Sequence, residues 1–324
     1  MACSFFLNLK IMLGIIYHYN GISLSDHTRD ALSGELFTSE ADRSCGALVS
    51  LVETPSGFHS PELRHSEESR QGTHGILDYD TFVGKRAIVF TGQLIAPDRA
   101  KMVQLVDKFQ KAFTTSAIPS KDDGYRELLF TEEDGIAKKV FAKVETMPEY
   151  AEELGFPYVR HFMVALKCKE PRKLSQEVNT APEVKADVLG AQIKLPTKLP
   201  LNTGWDYVYK KTLVNAGNFA ASPKITVHAP CINPKIFNRT YDVFMQFICV
   251  LSDTDILEID VLSGTATVTR ENGSTEDALL VLTNNSEFFY LLSGENEVVF
   301  LEESGVPPVD NPSYCRLEWS DTWL

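Results

Sequence analysis

From about residue 211 to residue 324 the chain alternates apolar and polar residues over short runs, each cut off by tight-turn residues. Only a β architecture accommodates that pattern, because side chains two apart share a face of a strand. Leu257, Ile259 and Val261 alternate with Glu258 and Asp260, Ser263-Gly264 makes a turn, and Ala266 and Val268 alternate with threonines. Asn272-Gly273 then reads as a type I′ hairpin turn, since both residues tolerate positive φ. Further strands are expected at 278–282, 288–292 and 298–301, separated by Asn284-Asn285-Ser286 and Ser293-Gly294-Glu295. Strands at this spacing imply a β-sandwich with one face of each in the core.

The first half mixes strands with one helix. Asp98 follows Pro97 as an N-cap, and Met102, Leu105, Val106, Phe109, Ala112 and Phe113 then recur at helical spacing. Strands are expected at 86–94, 138–145 and 158–168, and residues 12–24 read as a first strand and a turn at Gly21. Residues 54–75, rich in Ser, His, Glu and Arg, read as a long exposed loop. Between 171 and 200 periodicity fades and prolines punctuate the chain, so Pro196 and Pro200 are placed in a stiff, extended connector. The expected domains are therefore 1–170, a linker at 171–200, and 201–324.

Charge is distributed unevenly. Residues 251–324 hold two basic residues, Arg270 and Arg316, against fifteen acidic ones, and this equals the net charge of −13 for all 324 residues. That balance argues against a general nucleic-acid-binding surface. It suits a solvated exterior, or the wall of a channel that passes DNA without gripping it. Six scattered cysteines without a C-x-x-C pair read as buried free thiols. The apolar stretch near residues 11–17 is too short to span a membrane. It also lacks the leading charge and cleavage site of a secretory signal, and Met12 is an alternative start.

Chemistry finds little purchase. His59, His65 and His74 lie in the polar loop without a partner motif for metal, and Asp122-Asp123-Gly124 reads as a turn rather than a calcium loop. There is no G-x-S-x-G, Walker lysine or G-x-G-x-x-G motif, and no carboxylate pair stands out for sugar cleavage. Three glycosylation sequons, at Asn238, Asn272 and Asn284, read as chance matches in turns. Trp205, Trp319 and Trp323 read as core residues, with sugar stacking as the competing role. No enzyme, cofactor or metal is expected.

Several ordered signatures narrow the reading. They are Gly190 with Leu195-Pro196 and Leu199-Pro200; Val214-Asn215-Ala216-Gly217-Asn218; Ser222-Pro223-Lys224-Ile225-Thr226-Val227; and Ile232-Asn233-Pro234 with Ile236 and Asn238. The order continues through Asp255, Leu257, Ile259 and Asp260, the Asn272-Gly273 turn, Ser286 with Phe288-Phe289 and Leu291, and Gly294 with Asn296. In this order the chain resembles the distal tail proteins of phages with long, non-contractile tails. Thr254 stands where that family usually has glycine.

The resemblance implies a mainly β fold: an N-terminal tail-tube-like β-sandwich or barrel with one α-helix, then a C-terminal galectin-like β-sandwich. It implies a structural virion protein at the distal end of the tail, made in the bacterial host cytoplasm. Such a protein forms a homohexameric ring between the tail tube protein and the tail-tip hub and receptor-binding proteins, with DNA only as passing cargo. A cell-wall glycan is the partner under the alternative reading, a host-adhesion module, and no membrane insertion is expected. Asn215, Gly217, Asn218 and Pro223 would shape the entrance to the sandwich, the Gly and Asn by accepting positive φ. Asn233, Pro234, Asn272, Gly273, Gly294 and Asn296 would shape its turns.

Overall fold

The computed structural model describes residues 15–69, 74, 76–115, 122–152, 158–188, 209–304 and 312–324. The chain divides into two compact units, with the break between Gln176 and Glu177.

The first unit begins with a hairpin of β1 (Tyr17–Tyr19) and β2 (Ile22–Leu24). Asn20 and Gly21 join them at φ 44° and 82°, the two positive values that define a type I′ turn. The other strands are β3 (Leu48–Leu51), β4 (Arg86–Ile95), β5 (Arg126–Thr131), β6 (Ala137–Glu152) and β7 (Val159–Cys168). They pair antiparallel in the order β2-β1-β5-β6-β7-β4-β3. The two ends of this sheet meet at Ser25, whose N–H donates to the Val49 carbonyl at 3.0 Å while its Oγ accepts from Leu51 N at 3.1 Å. The sheet thus curls into a barrel whose edges are covered.

Alternate residues fill it: Ile88, Phe90 and Leu94 from β4, and Phe162, Val164, Leu166 and Cys168 from β7, are all buried. Helix α2 (Arg99–Ala112) packs Met102, Leu105, Phe109 and Ala112 into this core, and its N-cap Asp98 accepts a hydrogen bond from Lys101 N. Phe109 reaches Phe162 with ring centroids 4.5 Å apart. Gly92 makes room for that ring, because a Cβ there would sit 2.6 Å from Phe162 Cζ.

Two features of this unit differ from expectation. A second, six-residue helix, α1 (Glu40–Cys45), follows the cap Ser39; it is too short to show apolar periodicity. The expected loop at 54–75 contains Leu63–Arg64, paired with Phe82–Val83, and Glu67–Ser69, paired with Ile76–Asp78. Leu63 and Phe82 are exposed, so that ribbon has no buried face to imprint an alternation on the sequence.

The expected connector also differs. Within 171–200 the structure has β8 (Lys173–Ser175), which pairs with β6, then β9 (Asn179–Thr180) and β10 (Val184–Val188). Prolines flank these strands without interrupting them. Residues 189–208, with Pro196 and Pro200, lie outside the described residues.

The second unit is a two-layer sandwich. Its strands are β11 (Lys210–Asn215), β12 (Lys224–His228), β13 (Lys235–Asn238), β14 (Val243–Gln246), β15 (Ile256–Asp260), β16 (Thr265–Thr269), β17 (Thr275–Asp277), β18 (Gly294–Glu302) and β19 (Tyr314–Trp319). One layer runs β17-β16-β15-β12-β19 with β9 against β19; the other runs β14-β13-β18 with β11 on the far side of β18. Strand β10 serves both, pairing antiparallel with β19 through Val184 and Lys185 and parallel with β18 through residues 186–188. Ile225, Val227, Leu257, Ile259, Ala266 and Val268 pack in one core with Ile236, Met245, Val298 and Phe300.

Three local expectations are corrected here. Residues 278–281 form one 3-10 turn capped by Asp277, not a strand. Residues 288–292 make only an isolated bridge, between Leu291 and Ala221, although Phe289 and Leu291 are buried. Alternation reported burial there, not a ladder. At Asn272-Gly273 the loop has three residues: Gly273 N donates to Arg270 O at 2.8 Å, Arg270 N to Ser274 O at 2.9 Å, and only Gly273 has positive φ, at 77°. That is a turn followed by a left-handed residue, the bulged hairpin, rather than type I′.

Candidate functional site

The densest polar arrangement in the second unit is built on buried amides. Asn215, at the end of β11, is 1% exposed and uses every hydrogen-bonding capacity of its side chain. Its Nδ2 donates to the carbonyls of Phe219 (2.7 Å) and Leu291 (2.9 Å), and its Oδ1 accepts from the N–H of Gly217 (3.1 Å) and Thr322 (3.3 Å). One side chain thereby ties the 215–219 turn to two distant segments. Asn296 on β18 acts similarly, donating to Leu292 O and Gly294 O and accepting from Leu292 N at 3.1 Å and from Asn238 Nδ2 at 3.4 Å. Asn238 Oδ1 in turn accepts from Thr240 N. Asn238 is fully buried, so its sequon is closed to glycosylation in the folded unit.

Gly217 is required for a different reason than the one expected. It is absent from the positive-φ positions; instead, a Cβ there would lie 1.9 Å from the Thr322 carbonyl oxygen. Its own carbonyl accepts from Ser293 Oγ at 2.6 Å. Asn215 and Asn218 are not at positive φ either. Gly294, by contrast, stands at φ 89° with open space around it, and Asn233 at φ 50°.

Structure thus gathers Asn215, Gly217, Gly294 and Asn296 into one set of pinned turns. Pro223 is separate: it is buried ahead of β12, and its carbonyl accepts from Val261 N at 3.3 Å. Asn233 and Pro234 sit in the turn before β13, where Asn233 Nδ2 donates to Glu303 Oε2 and Pro234 O accepts from Phe247 N. Asn272 and Gly273 close their own hairpin.

Sequence reasoning missed a charged cluster in the first unit. Lys138 on β6 is 2% exposed; its Nζ contacts Glu132 Oε2 at 2.5 Å and Asp134 Oδ2 at 2.7 Å. Lys173 on β8 is equally buried and meets Glu132 Oε1 at 2.5 Å, with its ammonium 4.3 Å from the Phe58 ring centroid. Burial pushes the Glu132 carboxyl up, yet hydrogen bonds from Lys138 and Lys173 outweigh it and hold the pKa below the usual carboxylate range. Its contribution to stability is then complete above the unfolded-state pKa of about 4.3 and disappears as pH falls through the lower folded value. Thermal melts of the chain should show midpoints flat from pH 7 to about 5 and falling below about 4.3, and melts indifferent to that window would contradict the assignment.

Arg86 is fully buried, and its hydrogen bonds go to backbone carbonyls. Its Nε donates to Pro171 O at 2.7 Å, and Nη1 donates to Gly57 O and Phe58 O. Nη2 has no hydrogen-bond partner among the described residues. Desolvation pushes this guanidinium's pKa down. Asp122-Asp123-Gly124 is a turn whose carboxylates accept from Gly124 N, Tyr125 N and Arg126. His65 Nδ1 lies 3.1 Å from Thr81 Oγ1. Among the described residues no three His, Cys, Asp or Glu side chains converge on a point that could hold a metal, and no helix is long and apolar enough to cross a membrane. Cys168, Cys231 and Cys315 are buried free thiols whose pKa burial pushes up, to about 12 for the first two. Trp319 belongs to the core, Trp323 is half-buried, and Trp205 lies outside the described residues.

The chain is thus mainly β and folds into two units. Across 96% of this chain and 99% of the other, it is similar to the SPP1 Dit protein, described as a paradigm of the hub adsorption apparatus in phages infecting Gram-positive hosts, with a TM-score of 0.58 and 11% identity. Residues 216–323 match the family model for the siphovirus-type tail component, C-terminal domain. The resemblance drawn from the ordered motifs is borne out over those residues. Looser likenesses are to chains of the phage P2 baseplate in its activated conformation, with Ca (TM-score 0.38, 10% identity, 82% of this chain and 88% of that one) and with Sr (0.38, 9%, 94% and 97%). No curated protein matches the chain.

Proposed function

We propose that this chain is a distal tail hub protein, a structural and non-enzymatic part of the virion, and that six copies close into a ring joining the tail tube to the tail tip and its receptor-binding proteins. The reading is carried by the tail-component match over residues 216–323. A fold likeness that extends over nearly the whole chain supports it. In this reading the first unit, 1–176, forms the ring and the second faces outward. Identical subunits related by rotation satisfy every interface without leaving a free end, which suits a fixed joint in a tube. DNA would pass through the ring as cargo, and the acidic excess of residues 251–324 would belong to the outward, solvated unit.

Native mass spectrometry of the purified chain is expected to show six-fold assemblies that grow with concentration, and antibodies against it should label tail tips. A strict monomer at high concentration, together with absence from purified virions, would sink the proposal.

A further inference from the structure

Among the described residues the most exposed large apolar side chain is Leu280, with 85% of its surface open, on the 3-10 turn Ala278–Val281. It is not isolated. Ile248 N donates to the carbonyl of Val281, the residue after Leu280, and Ile248 is itself half open at 52%. Two residues on, Val250 is 60% open and pairs directly with Ile232 in a small ribbon formed by Cys231–Ile232 and Val250–Leu251. Four exposed aliphatic residues thus lie on three segments that backbone hydrogen bonds hold side by side. Single exposed aliphatics are ordinary, but a grouped set marks a contact site.

Its surroundings are acidic. Glu303 is exposed and its N–H donates to Ile232 O at 2.8 Å, while Asp277 caps the turn that carries Leu280. Between Arg239 and Arg316 the sequence has one cation, Arg270, and no histidine. Arg270 Nη1 donates to Val250 O at 3.1 Å and to Asp255, and Nη2 donates to Glu276 at 2.8 Å. Asp255 and Glu276 together outweigh Arg270 by one charge, partly exposed Lys235 lies three residues beyond Ile232, and the exposed rim also carries Asp277 and Glu303. An apolar centre with a charged rim is the usual anatomy of a protein interface, and the sign of the rim selects the partner.

We propose that Ile232, Ile248, Val250 and Leu280 form a docking surface for a different protein of the tail, one that presents apolar side chains ringed by lysine or arginine. A second copy of this chain does not fit, because like-charged rims would meet. The proposal rests on the reading of the chain as a tail component. A photo-reactive benzophenone amino acid replacing Leu280, in chain built into virions, tests it, with Thr267, an exposed residue of β16, as the reference position. Illumination and mass spectrometry of the cross-linked peptides should show at least ten-fold more product from position 280 than from 267. The captured peptide should come from another virion protein and carry net positive charge. Cross-links to a second copy or to an acidic peptide, or a yield no higher than at 267 in particles that contain the chain, would overturn it. Absence of the chain from particles would instead overturn the tail-component reading, and this proposal with it.

Discussion

Replacing Glu132 with Gln should destabilise the first unit by about 3–5 kcal/mol, the usual cost of removing one member of a buried ion group. Glu132 is the shared partner of Lys138 and Lys173, which are 2% and 4% exposed in their side chains. With glutamine in its place Lys138 keeps Asp134, but no carboxylate is left to Lys173 among the described residues. Its remaining neighbour is the face of Phe58, and a cation–π contact is worth about 2 kcal/mol at best. At roughly 2–4 °C per kcal/mol for a unit of this size, the melting midpoint of the full chain should fall by roughly 6–20 °C. Glu133, its exposed neighbour, is the control; Glu133→Gln should stay within about 0.5 kcal/mol of the parent. Equal midpoints for the two variants would show that the cluster contributes nothing.

Gly217→Ala is the second large effect expected. The added methyl would stand 1.9 Å from Thr322 O and 2.5 Å from Thr322 N, both backbone atoms with no rotamer to escape by. Relief requires moving the 320–323 segment, which breaks Phe219 N to Thr322 O, Thr322 N to Asn215 Oδ1 and Ala216 N to Asp321 Oδ1. Overpacking of about 1–3 kcal/mol plus about 1 kcal/mol for each of the three lost bonds gives a destabilisation of roughly 4–6 kcal/mol. Gly294→Ala separates crowding from dihedral strain. That glycine has positive φ but open space, so its substitution should cost only about 1–2 kcal/mol. Denaturant melts in which the two variants behave alike would refute the crowding argument.

The contrast between those glycines marks where sequence could be read and where it could not. Both are followed by an asparagine, one directly and one two residues on, and of the two it is Gly217 whose role is expected to run through φ. Only the folded chain shows that Gly217 answers to a carbonyl from residue 322, more than a hundred positions away. Asn-Gly pairs teach the same lesson. The pair at 20–21 forms the type I′ turn, while the pair at 272–273 closes a three-residue loop, because the register of the flanking strands decides how many residues remain between them. Helix α2 was legible because its cap and apolar face are local, and β15 and β16 because alternation and burial coincide. The Glu132 cluster was not legible. Its members come from a β-turn, a strand interior and the segment after β7, and nothing in a run of ordinary lysines and glutamates marks two of them as buried. Residues 54–75 hid their ribbons for the opposite reason, since strands without a buried face leave no periodic trace.

Strand β10 has a mechanical meaning. Within five residues it is bonded first to β19 and then to β18, so one short run of backbone is woven into both layers of the sandwich. A pull along the chain at this point is borne by several hydrogen bonds at once in each layer instead of opening one ladder from its end. The layers cannot slide past each other or peel apart singly while β10 holds, which joins them into one cooperative unit. In the tail hub proposed above, a strand that locks two layers together would be a suitable place to take up load.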